Sequence, residues 1–577
     1  MIRPKILRKV TVLGIALAVC LMVTPAFAWE FHMEGAYWWK WYWAGQLGNQ
    51  GFFGIYDRVD QGAVVGNATN INFWAGNNDL GTRADLGTTE IKTGHDASSQ
   101  TMWADIDPEV RINQAVRLRG RYHLGRYGIQ LESENPNSVN PGMKVAFTDG
   151  QWYLFWLTAQ TPWGIVAMGK RPFAFGLGLQ YDGTDNLSSD SLLLVVPYGP
   201  IRIGLAGYPF RSGQTYLGDI RDRSGVRAPE VAGFITYTAG NIDLGTFQDY
   251  TFIHGGVERA ATLAVRQATL TFDRADHHAS YYVKFNNGVF FLNAEASHYL
   301  RIDKFQQAMN TSPGGPAAIG GGLVGVATRP TYIEDWKAVG IVGAVAGPLK
   351  VSGMLYWSGG LDRRAGALND TQGWLPAAIP PHGAAGTAII RPVLCNSVLI
   401  RPYSWLLANQ YGGGNDGYSA AFSREGSLHD AIAYASRVDY AVAANLNTWA
   451  SFLWADRVSK SYPWGFISPT VGGNVVYSYF PAGAAALGLG AVPSIPDSNL
   501  GWEVDAGIDW RLLEGFRFEA LIGYWQPGKW FSYACKDIGV TAWDVPGSLD
   551  GDNNWGTRPD RVIDPVIGGY MAFVGEF

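Results

Sequence analysis

Between Leu500 and Trp525 the chain alternates apolar and polar residues along two arms joined by Leu512-Leu513-Glu514-Gly515. In the first arm Trp502, Val504, Ala506, Ile508 and Trp510 alternate with Glu503, Asp505, Gly507, Asp509 and Arg511. In the second Phe516, Phe518, Ala520, Ile522 and Tyr524 alternate with Arg517, Glu519, Leu521, Gly523 and Trp525. Successive side chains of a strand point to opposite faces, so this is a hairpin with one apolar face and one face that carries every charge. A soluble sandwich would turn the apolar face inward; a membrane barrel would turn it out to lipid and leave the charges in a wet lumen.

The same arrangement recurs. Paired segments over 149–159 and 164–175 flank Thr161-Pro162-Trp163-Gly164, those over 190–197 and 201–209 flank Tyr198-Gly199-Pro200, and those over 278–286 and 288–300 flank Asn286-Asn287-Gly288. Further pairs, 333–346 with 349–358 and 431–443 with 446–457, meet at Gly347-Pro348 and near Asn445. Weaker strand patterns cover 29–43, 108–124, 126–134, 229–240 and 243–254, and a closing strand covers 565–577. Together they predict an all-β, antiparallel transmembrane barrel of about 18 strands, or 16 if 229–254 is a loop. Short turns are expected on the periplasmic side. The long connections, 44–107, 255–277, 301–332, 359–430, 458–499 and 526–564, are expected outside, the longest being able to fold inward and narrow the mouth.

Composition favours the membrane alternative. Glycine, 73 of 577 residues, is nearly twice the usual ~7%, while charged residues make up 16% against a typical ~25%. Beyond residues 10–23 no apolar stretch approaches the ~18–20 residues of a membrane helix, so any span must be β. No repeat of 20–50 residues points to a propeller or solenoid.

The first residues have the order of a secretory signal: Arg3, Lys5, Arg8 and Lys9, an apolar run from Val10 to Val23, then Pro25 and Ala26-Phe27-Ala28. Cleavage after residue 28 would leave 29–577 as the barrel and move the formal charge from −5 to −9, which argues against nucleic-acid binding. Cys395 and Cys535 then remain, both in expected outer loops, where an oxidising compartment permits a disulfide; two free thiols are the alternative. No Cys-x-x-Cys-His is present, and no cofactor is implied.

The run from Thr161 to Tyr181 rises from a Thr-Pro-Trp-Gly turn, passes Gly169-Lys170-Arg171 and enters a glycine-rich stretch at Gly176 and Gly178. It resembles a segment common to several bacterial porin families, and the hairpin from Tyr281 to Glu295 resembles barrels of the alginate-export type. The terminal aromatic Phe577, with Phe573 and Met571, resembles the assembly signal of outer-membrane barrels, although Gly575 stands where Tyr or an apolar residue is common. The resemblance implies a monomeric or homotrimeric passive channel in the bacterial outer membrane, in contact with its lipid, and porin-D-type barrels have about 18 strands.

For a channel, the relevant chemistry is the set of charges lining the lumen. Arg111, Arg117, Arg119 and Arg121 share parity, and Lys170 and Arg202 on later strands are expected to join them. Glu503, Asp505, Asp509 and Arg511 share a face far along the chain, with Glu132 and Glu134 on another strand, so that basic and acidic walls would set a transverse field. Any wet lumen needs charges, and most of them pair with neighbours, which is the plainer reading of the same residues. His277-His278 with Asp273 and Asp276 suggests a metal or acid–base cluster, but adjacent strand residues face opposite ways, and a polar loop is the plainer reading. The acidic run 550–554 reads as solvated loop, and the aromatic cluster from Tyr37 to Trp43 as interfacial girdle. With no room for a plug domain before the first strand, passive diffusion of small hydrophilic solutes, anionic or sugar-like, is expected; an adhesion or scaffold barrel and a barrel enzyme are the alternatives.

Overall fold

A computed structural model describes residues 29–46, 96–123, 129–132, 151–179, 189–211, 228–262, 265–310, 331–359, 399–408, 428, 431–458, 467–471, 474–477, 497–530 and 565–577. Residues 1–28, Cys395, Cys535 and the acidic run 550–554 lie outside them.

The strands in chain order begin with β1 (Glu30–Gln46), β2 (Asp96–Arg111), β3 (Val116–His123), β4 (Ile129–Glu132), β5 (Gln151–Thr161), β6 (Gly164–Arg171) and β7 (Ser189–Tyr198). Then come β8 (Ile201–Arg211), β9 (Ala228–Ala239), β10 (Ile242–Thr262), β11 (Val265–Asn286), β12 (Phe290–Asn310), β13 (Thr331–Ala346) and β14 (Leu349–Ser358). The chain continues through β15 (Ala431–Ala443), β16 (Leu446–Arg457), β17 (Ile467–Val471), β18 (Asn474–Tyr477), β19 (Asn499–Leu513), β20 (Phe516–Pro527) and β21 (Val566–Glu576).

All wall pairings are antiparallel between neighbours, and β1 pairs with β21 to close the ring. At the seam Gly35 and Phe577 exchange backbone hydrogen bonds of 2.8 and 3.0 Å. β17 and β18 form a separate small hairpin. β4 is not a wall position of its own: it pairs with β2 at Ser99–Met102, beyond the stretch where β3 pairs with β2. Counting β3 and β4 as one position gives a closed 18-strand barrel.

The expected count therefore holds, with two compensating corrections. Residues 108–124, read as one strand, are a hairpin in which the Asn113 carboxamide oxygen accepts the N–H groups of Ala115 and Val116, both at 2.8 Å. Of 126–134, read as the next strand, the described residues 129–132 form β4, which takes up the pairing with β2 above β3 rather than adding a wall position. The 16-strand alternative fails because 229–254 is the paired hairpin β9–β10. Much of 255–277 and 301–310, read as loop, extends β10, β11 and β12 far beyond the other strands.

Alternation sets the two surfaces. On β9, β13, β14 and β20 the side chains of Val231, Ile235, Val342, Leu355 and Ile522 are exposed, while Ala232, Val339, Tyr356 and Leu521 on the same strands are buried inside the ring. An outer belt of large exposed apolar residues on a closed β wall is the arrangement that lipid requires, since closure satisfies every backbone hydrogen bond.

Candidate functional site: the lumen

The inward face carries charged side chains, and the way they are used differs from wall to wall. Arg117, Arg119 and Arg121 stand on β3 and Arg111 ends β2, all on the inward row. Their partners lie beside them rather than across the barrel. Glu109 of β2 hydrogen-bonds Arg111 and Arg119 and lies 3.7 Å from Arg117. Asp107 takes Arg121 in a fork, Nε to Oδ1 at 2.9 Å and Nη2 to Oδ2 at 2.8 Å, a geometry that fixes the guanidinium plane. Glu30 of β1 adds a contact of 3.5 Å to Arg111.

Arg202 lies on the inward row of β8, opposite Thr236. Nearby, the Tyr282 hydroxyl donates to Asp243 at 2.9 Å and the Lys284 ammonium sits 5.1 Å from the Tyr282 ring. Lys170 does not join this set. The register pairs it with Phe155, whose ring is exposed on the outer face, and its neighbour Arg171 is the buried inward residue. The reason is the two-residue period of the strand: a basic pair at adjacent positions can send only one member inward.

Glu503 and Asp505 point inward as their parity requires, but they are 0% and 1% exposed, so they are no open acidic wall. The segment 399–408, from the connection between β14 and β15, folds into the barrel and lies over them. Ser404 starts a short helical turn, Leu406–Ala408, and a helix start leaves N–H groups without partners. Glu503 supplies the acceptors: Oε2 takes the Ser404 hydroxyl at 2.7 Å and the Leu407 N–H at 2.8 Å, and Oε1 takes the N–H groups of Trp405 and Leu406 at 2.8 and 2.6 Å. Asp505 accepts the Trp405 N–H as well, at 3.0 Å. The other side of the segment is held by Arg437, which donates to the Pro402 carbonyl at 2.6 Å, and by Ser451, which donates to the Tyr403 carbonyl at 3.3 Å. The Tyr403 phenol shares a hydrogen bond with Ser352, and burial pushes its pKa up, keeping it neutral.

Around this segment the lumen is packed rather than wet. Ile400, Tyr403, Trp405, Leu406 and Leu407 form a buried apolar cluster with Tyr356, Leu453, Leu521 and Trp525 of the wall. Ala431, Ala433 and Ala435 occupy the inward row of β15, and small side chains there leave room for the segment. A second inward segment, 172–179, follows β6. Its Leu177 and Leu179 N–H groups donate to Oε2 of Glu295 on β12, at 2.6 and 3.3 Å, and Ser280 donates to Oε1 at 2.6 Å. Gly176 takes φ of +64°, and a Cβ there would lie 2.6 Å from the Glu295 carboxylate. Leu179 belongs to the same apolar cluster as segment 399–408, so the two inward segments share one packed core inside the ring.

Asp509 and Arg511 stand lower on the inward row of β19, near the short turns, where Arg517 bridges Glu519 at 2.9 Å and Glu576 at 3.8 Å. Among the described residues no group of three or more His, Cys, Asp or Glu is disposed to hold a metal ion.

No family model and no curated protein matches the sequence. Among solved structures, the chain is similar to the outer membrane protein opdK from Pseudomonas aeruginosa, at 9% identity, covering 95% of this chain and 98% of that one with a TM-score of 0.38. It is also similar to a BenF-like porin from Pseudomonas fluorescens, at 8% identity, 95% and 98% coverage and a TM-score of 0.42. A third is OmpT, an outer membrane protein of Vibrio cholerae, at 9% identity, 96% and 99% coverage and a TM-score of 0.32. At such identities and TM-scores no function transfers from these chains.

Proposed function

We propose that the chain is an outer-membrane porin: a passive channel for small hydrophilic solutes and ions, exported by a signal over residues 1–28, with its short turns in the periplasm and its long loops outside. The observation that carries this reading is a closed β wall, apolar outside and charged inside, whose inward segments are held by wall carboxylates. Segments 399–408 and 172–179 act as the constriction. Among the described residues, 399–408 fills the side lined by β13–β16 and β19–β21, 172–179 packs Phe173 and Phe175 against Ala206, Ala232, Phe234 and Phe247 of β8–β10, and the passage is left along β1–β3 and β5–β7, past the guanidiniums of Arg117, Arg119 and Arg121. That route favours anionic or sugar-acid solutes, because the arginines are only partly balanced by Glu109 and Asp107.

Reconstitution into planar bilayers tests the reading. A porin gives open-channel steps whose size scales with salt. An adhesion barrel or a barrel enzyme with a sealed lumen gives almost none, and that result would end the proposal.

A further inference from the structure

The outer face of β10–β13 carries a group of polar and aromatic side chains for which a hydrocarbon surface has no use. The Tyr250 ring stacks on His277 at 4.3 Å with 17° between planes. A ring nitrogen of His277 lies 2.8 Å from Gln248 Oε1, and the Gln248 amide donates to Tyr281 at 3.1 Å and to Thr246 at 3.0 Å. Next to them the His298 ring is 4.1 Å from that of Trp336 and 3.2 Å from the Glu334 carboxylate, which also accepts the Trp336 indole N–H at 3.1 Å. The two imidazoles lie 6.2 Å apart.

All of these point outward. Their strand neighbours Ser280, Tyr282, Glu295 and Ser297 are the inward residues, the first three around segment 172–179. Tyr250, Tyr281 and Trp336 remain exposed, each about two-fifths or more. At a strand rise of ~3.3 Å per residue and the usual tilt, His277 and His298 stand roughly 20 Å above the short turns, at the upper edge of a ~25 Å apolar band. Below the His298–Trp336 pair come Ala296 opposite Ala338 and then Ala294 opposite Gly340, with nothing within 4 Å of a Cβ built on Gly340. These small residues floor a shallow trough between Tyr281 and Leu355 that descends into the apolar band.

A plain aromatic girdle needs Trp and Tyr alone. Here two imidazoles, a carboxamide and a carboxylate are added beside exposed rings, and no Lys or Arg is among the side chains that make up this group. Ring faces beside planar hydrogen-bonding groups suit the C–H faces and hydroxyls of a sugar, whereas a phosphate would call for cations. We infer that this face binds a glycolipid of the outer leaflet, its sugar headgroup on the Tyr250–His277–His298–Trp336 surface and an acyl chain in the alanine trough. The inference rests on the membrane placement proposed above.

The test is lipid retention by the full-length protein after detergent exchange, read by native mass spectrometry. The probes are a lipopolysaccharide truncated to its inner sugars, a diacylglycerol, which has acyl chains and no sugar, and phosphatidylethanolamine. The wild type should retain the first alone. A variant combining Gln248→Leu, His277→Phe and His298→Phe, all tolerable to lipid, should lose most of it, and Ala338→Trp should do the same by filling the trough. Equal retention of the three probes, or unchanged retention in both variants, overturns the inference, as does loss of an oligomer rather than of lipid. Channel conductance measured on the same preparations reports separately on the porin reading, which these substitutions leave untouched.

Discussion

The Glu503 carboxylate and the Ser404 hydroxyl, ninety-nine residues apart in sequence, meet at 2.7 Å inside the barrel. This bond and three from backbone N–H groups make Glu503 the seat of segment 399–408. Hydrogen bonds to a charged acceptor contribute about 1.5–3 kcal/mol each, so Glu503→Ala removes the largest polar restraint on the segment. The expected outcome is a larger and noisier single-channel conductance, with Leu407→Cys, introduced in the same background, labelled faster by a water-soluble maleimide. Unchanged conductance and labelling would show that the apolar cluster alone holds the segment.

The arginines of β3 should govern ion preference. Replacing Arg117, Arg119 and Arg121 by Ser shifts the reversal potential toward cations. Glu109→Gln, which frees Arg111, Arg117 and Arg119 from their shared carboxylate, shifts it toward anions. Both shifts should shrink between 0.1 and 1 M salt, as the Debye length falls from about 10 to about 3 Å. Bi-ionic measurements on the two variants check the opposite signs.

Gly176 is required by its backbone angle and by the carboxylate it faces. Gly176→Ala should loosen segment 172–179 at a cost of about 1–2 kcal/mol from the left-handed conformation alone. Faster proteolytic nicking of this segment in folded protein is the readout, and Gly199, whose Cβ would meet nothing within 4 Å, offers a control turn where strain acts without a clash.

Val342 is exposed in the apolar band, four residues above the end of β13. Val342→Arg should destabilise the membrane-inserted barrel by about 2–4 kcal/mol, the cost of a cation near the bilayer midplane. Urea titration of folding into vesicles measures it. A wild-type midpoint in the variant would mean that Val342 does not face lipid.

Much of the wall was legible because alternation is a local signal: the 500–525 hairpin has the predicted faces, and its turn falls where Glu514-Gly515 stands. The hairpin at 108–124 was missed because Asn113 makes its turn without glycine or proline, through hydrogen bonds that composition does not announce. The packed lumen was less legible, although signs were present. Leu521 and Trp525 break the polar row of β20, and Ala431, Ala433 and Ala435 line up on β15. An apolar residue on a row expected to be wet means that something dry covers it, but the covering segment lies in a connection of more than seventy residues whose fold no period reveals. Parity places Glu503 and Asp505 on the inward row, but the segment that covers them was hidden for the same reason.

The core shared by segments 399–408 and 172–179 makes the width of the passage a folded property rather than a fixed radius. In a barrel whose opening is set by the wall alone, heating alters flow only through solvent viscosity until the wall gives way. In the proposed channel the obstruction is a packed core, so leakiness and thermal loosening would be two readings of a single equilibrium, and a substitution that thins this core would widen the passage.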